Sequence, residues 1–500
     1  MSKIKHQINQ RFIDSNHRNG RETPYITGSD RNQTVMFPPL VDDYVSNDNP
    51  VRFIEEYVKL LDLTELGFTH SVPKLTGRPS YSPSDLLKLY IYGYLKKTRS
   101  SRQLAQLTHL NVEVFWLLKK LHPDFRTISD FRKDNVSGLK KVCQEFTIKC
   151  KKFNLFGGEL VAIDGSKFNA VNHNSKVISA KNITKLIKEI DENIEDYFQN
   201  LERQDLTEES IEETTAEDLK AAISKLKKDR ENLSRLQTTL KESGETQIAQ
   251  TDPDCKKMRT GHQGIDMCYN VQIAVDSKHK LIVAHDVTND TNDLNQLVPL
   301  AEQAKEMLEV ETLNVTADKG YFNEEQIAEC ESNNIKCYIP TPDNSKNKSK
   351  GLFTYKDFTY DKKNDLYDCP GKEKLTRTIE VTKHDKPTVI YKTKACKTCN
   401  LKSKCTTSKE GRRIYRNIHK GLIEPMQERM KENPSIGNQR KSIVEHPFGT
   451  LKHTMGHGHF LMRGKENVAA EMSMSVLTYN MKRIMNLFGI PTLLAIINYL

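Results

Sequence analysis

Leu160-Val161-Ala162-Ile163-Asp164-Gly165-Ser166 is the stretch on which the reading of the fold turns: a short apolar run, then an acid, a glycine and a serine. Its length and composition predict a buried strand ending in a polar turn. The same pattern returns downstream. Tyr269-Asn270-Val271-Gln272-Ile273-Ala274-Val275-Asp276 and Leu281-Ile282-Val283-Ala284-His285-Asp286-Val287, parted by Ser277–Lys280, predict a hairpin. Thr312-Leu313-Asn314-Val315-Thr316-Ala317-Asp318 predicts another strand ending in an acid. A helix over 293–308 precedes it, a helix from Asn323 follows, and Lys336-Cys337-Tyr338-Ile339-Pro340 gives a last short strand. Strand, long insertion, two strands, helix, strand, helix, strand is the order of an α/β fold with a mixed sheet.

Outward from this core the chain changes character several times. Residues 1–40 are polar and basic and are expected to be a flexible arm ending at Phe37-Pro38-Pro39-Leu40. Residues 41–155 show helical spacing. Ser82-Pro83-Ser84-Asp85 reads as a helix start, and further short helices are expected from Ser101, Asn111 and Thr127. Such a group suits a helical DNA-binding domain and suits any small bundle equally well. Residues 176–250 are rich in Lys, Glu, Asp and Leu and predict a charged helical-hairpin insertion. Residues 341–435 form a Cys-rich insertion, with helices resuming from 420. A Gly-rich break at 456–464 precedes a final amphipathic segment, Ala469–Leu487. The core is then 156–340 together with 436–490.

With 36% hydrophobic and 28% charged residues, the composition is that of a soluble globular protein. No apolar run approaches bilayer-spanning length, which excludes a helical membrane protein. MSKIKHQINQRFIDSNHRNG lacks the apolar core of a secretory signal, so a cytoplasmic location is expected, nucleoid-associated when DNA is bound. The net charge of +10 is modest, but its distribution is informative. Residues 437–465 hold five Lys or Arg and four His with a single acid, Glu445, and Arg412, Arg413, Arg416 and Lys420 form a second basic run. Clustered cations point to a polyanionic partner more than total charge does, although ordinary solvated surface accounts for them as well.

Cutting a phosphodiester at neutral pH requires an activated water and relief of charge on the phosphorus centre, which paired divalent ions roughly 4 Å apart provide. Acids must therefore converge from separate elements. Asp164 and Asp318 each follow an apolar strand and stand beside a glycine, so each can project into a crevice; strand-end aspartates are also common without any such role. Glu445 shares a helical face with Lys441 and Lys452, which could hold phosphates, or it could simply pair with Lys441. Pro447 implies that its helix starts near Glu445 or kinks there. Composition alone does not separate Glu445 from Glu424, Glu428 or Glu471.

Several stretches together resemble the DDE transposases of bacterial insertion sequences. TGRPSYSPSDLLKLYIYGYL and RTISDFRKDN lie in the N-terminal region. VAIDGSKFNA, YNVQIAVDSKHKLIV and VTADKGYFNEEQI lie in the core, and RKSIVEHPFGTLKHTMGHGHFLMRG carries the third acid. The resemblance runs from about residue 40 to 488. It implies a ribonuclease-H-like mixed sheet flanked by helices, with Asp164, Asp318 and Glu445 holding Mg²⁺ or Mn²⁺. It also implies double-stranded DNA partners, both transposon ends and target, and a homodimer that pairs the ends. Arg440, Lys441, Lys452 and Arg463 would contact phosphates. The family's third-acid motif is Tyr, two residues, Arg, three, Glu, six, Lys. This chain keeps Glu445 and Lys452 but has Asn438 and Lys441 at the Tyr and Arg positions, which alters the grip on DNA and leaves the metal ligands in place. The alternatives are a ribonuclease-H-like nuclease without strand transfer, or an inactive zinc-containing DNA-binding protein. His453, His457 and His459 read as loop histidines near phosphate.

Four of the ten cysteines, Cys369, Cys396, Cys399 and Cys405, fall within 37 residues. Their spacing suits tetrahedral zinc, and Lys392, Lys394, Lys397, Lys402 and Lys404 around them favour the thiolate. A structural zinc is expected, with reduced cysteines or a redox pair as the rival readings.

Overall fold

Side-chain caps set the starts of the N-terminal helices. Asn49 accepts from the Val51 amide (3.0 Å) at the head of α1 (Pro50–Lys59), and Ser82 accepts from the Ser84 amide (3.2 Å) at α2 (Pro83–Leu95). Then come α3 (Ser101–Leu110), α4 (Val112–Leu117), α5 (Phe125–Asp134) and α6 (Val136–Lys152). Asp124 caps α5, taking the Arg126 and Thr127 amides at 2.8 and 3.1 Å, so this helix begins before Thr127. Leu86 through Tyr94 of α2 are all buried, as befits a helix at the centre of a bundle.

The computed structural model describes residues 40–73, 79–206, 213–261, 264–342, 350–383, 386–418 and 420–497. The chain divides into Met1–Ser46 and Asn47–Leu500. Of the first unit the described part is a 3-10 turn, Val41–Tyr44, and the arm expected over 1–40 lies outside the described residues apart from Leu40.

The central sheet is built on two strands, β1 (Leu160–Asn169) and the long β5 (Gly264–Asp276). They pair antiparallel along their whole shared length, from Val161 opposite Asp276 to Asn169 opposite Cys268. β4 (Lys256–Thr260) and β6 (Ile282–Thr288) pair antiparallel with successive halves of β5. Across β1, β7 (Leu313–Thr316) and then β8 (Ile335–Tyr338) join in parallel, connected by α10 (Glu324–Ser332). α9 (Leu297–Leu308) links β6 to β7. Read across, the order is β6-β5-β1-β7-β8, antiparallel on one side of β1 and parallel on the other. It is a mixed sheet, as the element order predicts.

Two excursions leave this sheet. After β1, the short ribbon of β2 (Val177–Ser179) and β3 (Gln247–Ala249) carries two long helices, α7 (Ala180–Leu206) and α8 (Glu213–Ser243). After β8, β9 (Thr359–Asp361), β10 (Leu366–Asp368), β11 (Lys374–Lys383), β12 (Lys386–Lys392) and β13 (Ile414–Asn417) form a second, antiparallel sheet, and the one-turn helix α11 (Lys402–Cys405) lies between β12 and β13. Phe358, Tyr367, Leu375, Val389, Tyr391 and Ile414 are its buried core.

α12 (Lys420–Glu432) returns the chain, and α13 (Pro434–Gly449) lies against β1, with Phe448 6.1 Å from Phe168. α13 does not start near Glu445. It runs through Pro447 and passes directly into a π-helical turn, Thr450–Thr454. Proline has no amide to complete the ladder, and the ladder widens just beyond it. α14 (Lys465–Phe488) is buried nearly all round from Val468 to Met481, because α6, α2 and β6 all pack on it; a shorter, one-sided helix is what the sequence predicts. Asn480 stitches it to the sheet, exchanging two hydrogen bonds of 2.9 Å with the Ile282 main chain. α15 (Ile490–Ile497) closes the described chain.

Candidate active site

The parallel pairing of β1 with β7 sets Ala162 opposite Thr316. Two residues further on each chain are Asp164 and Asp318, near enough that the charge of Asp318 acts on the Asp164 carboxyl. They are held differently. Asp318 has left its strand and caps a 3-10 turn, Lys319–Tyr321, where its Oδ1 accepts from the Gly320 amide at 2.7 Å. Asp164 is not at a strand end: β1 continues to Asn169, because β5 is long enough to pair with the polar half of the strand.

Gly165 is therefore a strand residue, and what it supplies is space. A methyl group there would stand 2.4 Å from Gln272 Nε2, 2.9 Å from Asp293 Oδ1 and 3.0 Å from the Tyr321 hydroxyl. These side chains form a polar network beneath Asp164. Asp293 Oδ1 accepts from Asn270 Nδ2 at 2.6 Å, Gln272 Nε2 at 2.8 Å and Lys167 Nζ at 3.5 Å, and the Tyr321 hydroxyl donates to Gln272 Oε1.

The electrostatics follow from this crowding. Burial pushes the Asp164 carboxyl up to about 6, opposed by the Arg440 guanidinium and reinforced by the negative charges of Asp318 and Asp293. Arg440 reaches Asp164 from α13, 3.5 Å from Oδ2. The Tyr321 hydroxyl is pushed upward by burial and then by Asp293, Asp164 and Asp318.

The other expected residues divide. Lys452 folds onto β1, its ammonium donating to Ser166 Oγ (2.6 Å) and the Lys167 carbonyl (2.7 Å) and lying 4.6 Å over the Phe168 ring; burial lowers its pKa. Lys441 and Arg463 are exposed. Glu445 is exposed on α13 while its neighbours Val444 and Phe448 are buried, and no ion pair joins it to Lys441. Among the described residues no three His, Cys, Asp or Glu side chains are gathered to hold one ion, so the structure brings Asp164 and Asp318 together without Glu445. Two of the acids that composition could not separate from Glu445 have other work: Glu424 pairs with Arg416 at 2.6 Å, and Glu471 pairs with Arg99 at 3.1 Å. Of the histidines of the 456–464 loop, His457 is not placed to meet a phosphate. His457 is buried against Tyr94, with burial holding its pKa down to about 3, whereas His459 is exposed and lies beside Arg99. His453 is exposed.

Residues 39–134 match the family described as transposase domain (DUF772), and residues 241–481 match the transposase DDE domain. Together these matches span about two thirds of the chain. The chain belongs to the DDE transposases. Asp318 and Glu445 lie within the matched DDE stretch, whereas Asp164 falls between the two matches. Among solved structures the transposase is similar to a piggyBac transposase synaptic complex with hairpin DNA. The identity is 10%, 88% of this chain and 75% of that chain are covered, and the TM-score is 0.34. The comparison with curated proteins gave no match.

In this transposase the donor chemistry of the paired aspartates suits a hard divalent ion. Two carboxylates from separate elements lie close together, and the Asp164 carboxyl is raised first by its burial and further by Asp318 and Asp293, a cost that such a cation relieves. The residue that sequence reasoning missed is Asp293. It belongs to no apolar strand and lies in the Asn289-Asp290-Thr291-Asn292-Asp293 link before α9. An acid between a strand and a helix start, at the same end of the sheet as Asp318, was the available signal.

Proposed function

We propose that this transposase binds the terminal inverted repeats of an insertion sequence as double-stranded DNA, cleaves there, and joins the freed 3′ hydroxyls to target DNA. The observation that carries the reading is that the parallel pairing of β1 with β7 brings Asp164, on β1, near Asp318, just beyond the end of β7, in a chain of this family. The strand order, three antiparallel strands continuing into two parallel ones, supports a ribonuclease-H-like core.

In this reading Asp164 and Asp318 hold Mg²⁺ or Mn²⁺, and Glu445 is the third acid, on the same helix whose Arg440 already reaches Asp164. The bound ions would supply an activated oxygen nucleophile and charge relief at the phosphate. The chain's own residues prepare the place. Asp293, Gln272 and Tyr321 fix the floor under β1, and Gly165 keeps that floor close. Arg440 offsets the acid charge until a cation takes over, and then becomes available to a phosphate together with Lys441, Lys452 and Arg463. Pairing of two ends calls for a homodimer, and the expected setting is the cytoplasm, on the nucleoid.

The test is a cleavage and strand-transfer assay with Mg²⁺ and DNA carrying the element's ends, run beside a DNA-binding assay. Asp164→Asn, Asp318→Asn and Glu445→Gln should each bind DNA as wild type does and cut none of it. Full activity in Glu445→Gln moves the third ligand elsewhere. Cleavage by wild type without joining makes the protein a nuclease, and no cleavage makes it a DNA-binding protein.

A further inference from the structure

The second sheet carries a chemistry that phosphoryl transfer does not use. We infer that Cys369, Cys396, Cys399 and Cys405 bind one structural zinc ion that fastens the open end of the five-stranded insertion.

The topology supports this beyond the spacing of the sequence. Cys369 lies in the tight turn between β10 and β11, closed by hydrogen bonds of Lys372 N to the Cys369 carbonyl (2.8 Å) and Cys369 N to the Glu373 carbonyl (3.0 Å). The other three follow β12: Cys396 on a 3-10 turn, Lys394–Lys397, Cys399 in the loop just after it, and Cys405 at the end of α11. The fold brings these separate segments together around one small cavity of about 20 Å³, and all four cysteines line it. A methyl group on Gly371 would stand 3.5 Å from the sulphurs of both Cys369 and Cys399. Gly411, at φ +98°, closes against Cys396 so tightly that a methyl there would be 2.5 Å from its Cβ. All four are free thiols and partly exposed, whereas the other six cysteines of the chain are buried.

The surroundings suit a closed thiolate site. Cys369 and Cys405 pack against the small core of Phe358, Tyr367, Leu375, Val389, Tyr391 and Ile414, so an ion here would seal one end of it. A module with so few buried residues gains most from a cross-link between segments distant in sequence. Four thiolates around Zn²⁺ leave an excess of negative charge, and Arg412 lines the same cavity with Lys402 beside it. Among the described residues no three donors already stand at ligand spacing, so an ion here would have to draw together the four sulphurs that line the cavity. Four protein ligands leave no open position, which makes the site structural.

The experiment uses the full chain, purified with reductant and without chelator. Metal analysis should find one zinc per chain, released in proportion as four thiols are titrated with an organomercurial. Cobalt substitution should give the intense visible bands of a tetrahedral thiolate site. Cys369→Ser and Cys399→Ser should each lose the zinc, while Asp164→Asn keeps it, which separates this site from the acids on β1 and β7. Absence of zinc together with a silent cobalt spectrum overturns the inference, as does undiminished zinc affinity in Cys369→Ser. If the variants fail to fold, the wild-type titration and cobalt spectrum decide alone. None of these readouts uses DNA, so the result stands whether or not strand transfer is found.

Discussion

At the scale of single residues, the site is a problem of crowded negative charge, and that makes Asp164 testable without DNA. Its folded pKa, about 6, lies above the ordinary carboxylate value. A raised carboxyl contributes stability that is fully present below its unfolded pKa and lost as pH rises through its folded one. Urea unfolding of metal-free protein should therefore show wild type losing stability relative to Asp164→Asn as pH rises from about 3 to about 7, by up to about 3 kcal/mol. A difference independent of pH would mean that Arg440 already neutralises the site. Asp293 is the second case. Its carboxylate is the common acceptor for Asn270, Gln272 and Lys167 beneath β1, so Asp293→Asn should reduce cleavage by about 10- to 100-fold, as loss of a residue that orients metal ligands does, and leave DNA binding unchanged. Unaltered cleavage would reduce the network to packing. Asp164 and Asp318 were legible because each follows an apolar run, although β1 itself continues past Asp164 to Asn169. Asp293 was not, because what defines it is proximity to Gly165 across the sheet, and Gly165 itself read as a turn residue when its real constraint is three side chains filling the space a β-carbon would need.

At the scale of elements, the apolar runs and capping residues exposed the strands and helix starts, while long-range burial stayed hidden. α14 shows why: its Ser, Thr and Asn positions read as a polar face, yet Ser473, Ser475, Thr478 and Asn480 are buried because partners on three sides absorb their hydrogen-bonding groups or the helix's own carbonyls do. Glu471, on the same helix, shows it more sharply. It takes the Leu461 and Met462 amides and meets Arg99, whose guanidinium also holds the carbonyls of His459 (2.9 Å) and Gly456 (3.2 Å). One buried ion pair thus pins the 456–464 loop between α2 and α14, a link spanning most of the chain that no local pattern could reveal. Glu471→Ala leaves Arg99 buried without its counter-charge and should cost about 3–5 kcal/mol in urea unfolding. An unchanged midpoint would mean the loop carbonyls suffice for Arg99.

At the scale of the whole molecule, the transposase is a mixed sheet carrying two excursions, and the first can be removed cleanly. α7 and α8 pack on each other, tied by Arg230 and Asp191, and on the ribbon of β2 and β3, whose last register pair is Ser179 with Gln247. The apolar cluster at their base is Ile178, Ile183, Leu240 and Ile248, local to the hairpin and its neck. Because Ser179 and Gln247 already face one another, a two-residue Asn-Gly turn can replace residues 180–246 without moving the ribbon. Ile178→Thr and Ile248→Thr would then remove the apolar surface left behind. Little of the sheet's burial depends on the removed helices, so the shortened chain should keep its circular-dichroism signature for the sheet and melt within about 4 °C of wild type, a change of roughly 1–2 kcal/mol. Its acids stay in place, so end cleavage should persist. Joining of paired ends should fall if the charged helices are what brings two complexes together, and light scattering of the shortened chain reads that directly. Collapse of the core on deletion would show instead that the hairpin is part of the folding unit, and the charged segment would have to be counted among the elements that hold Asp164 in place.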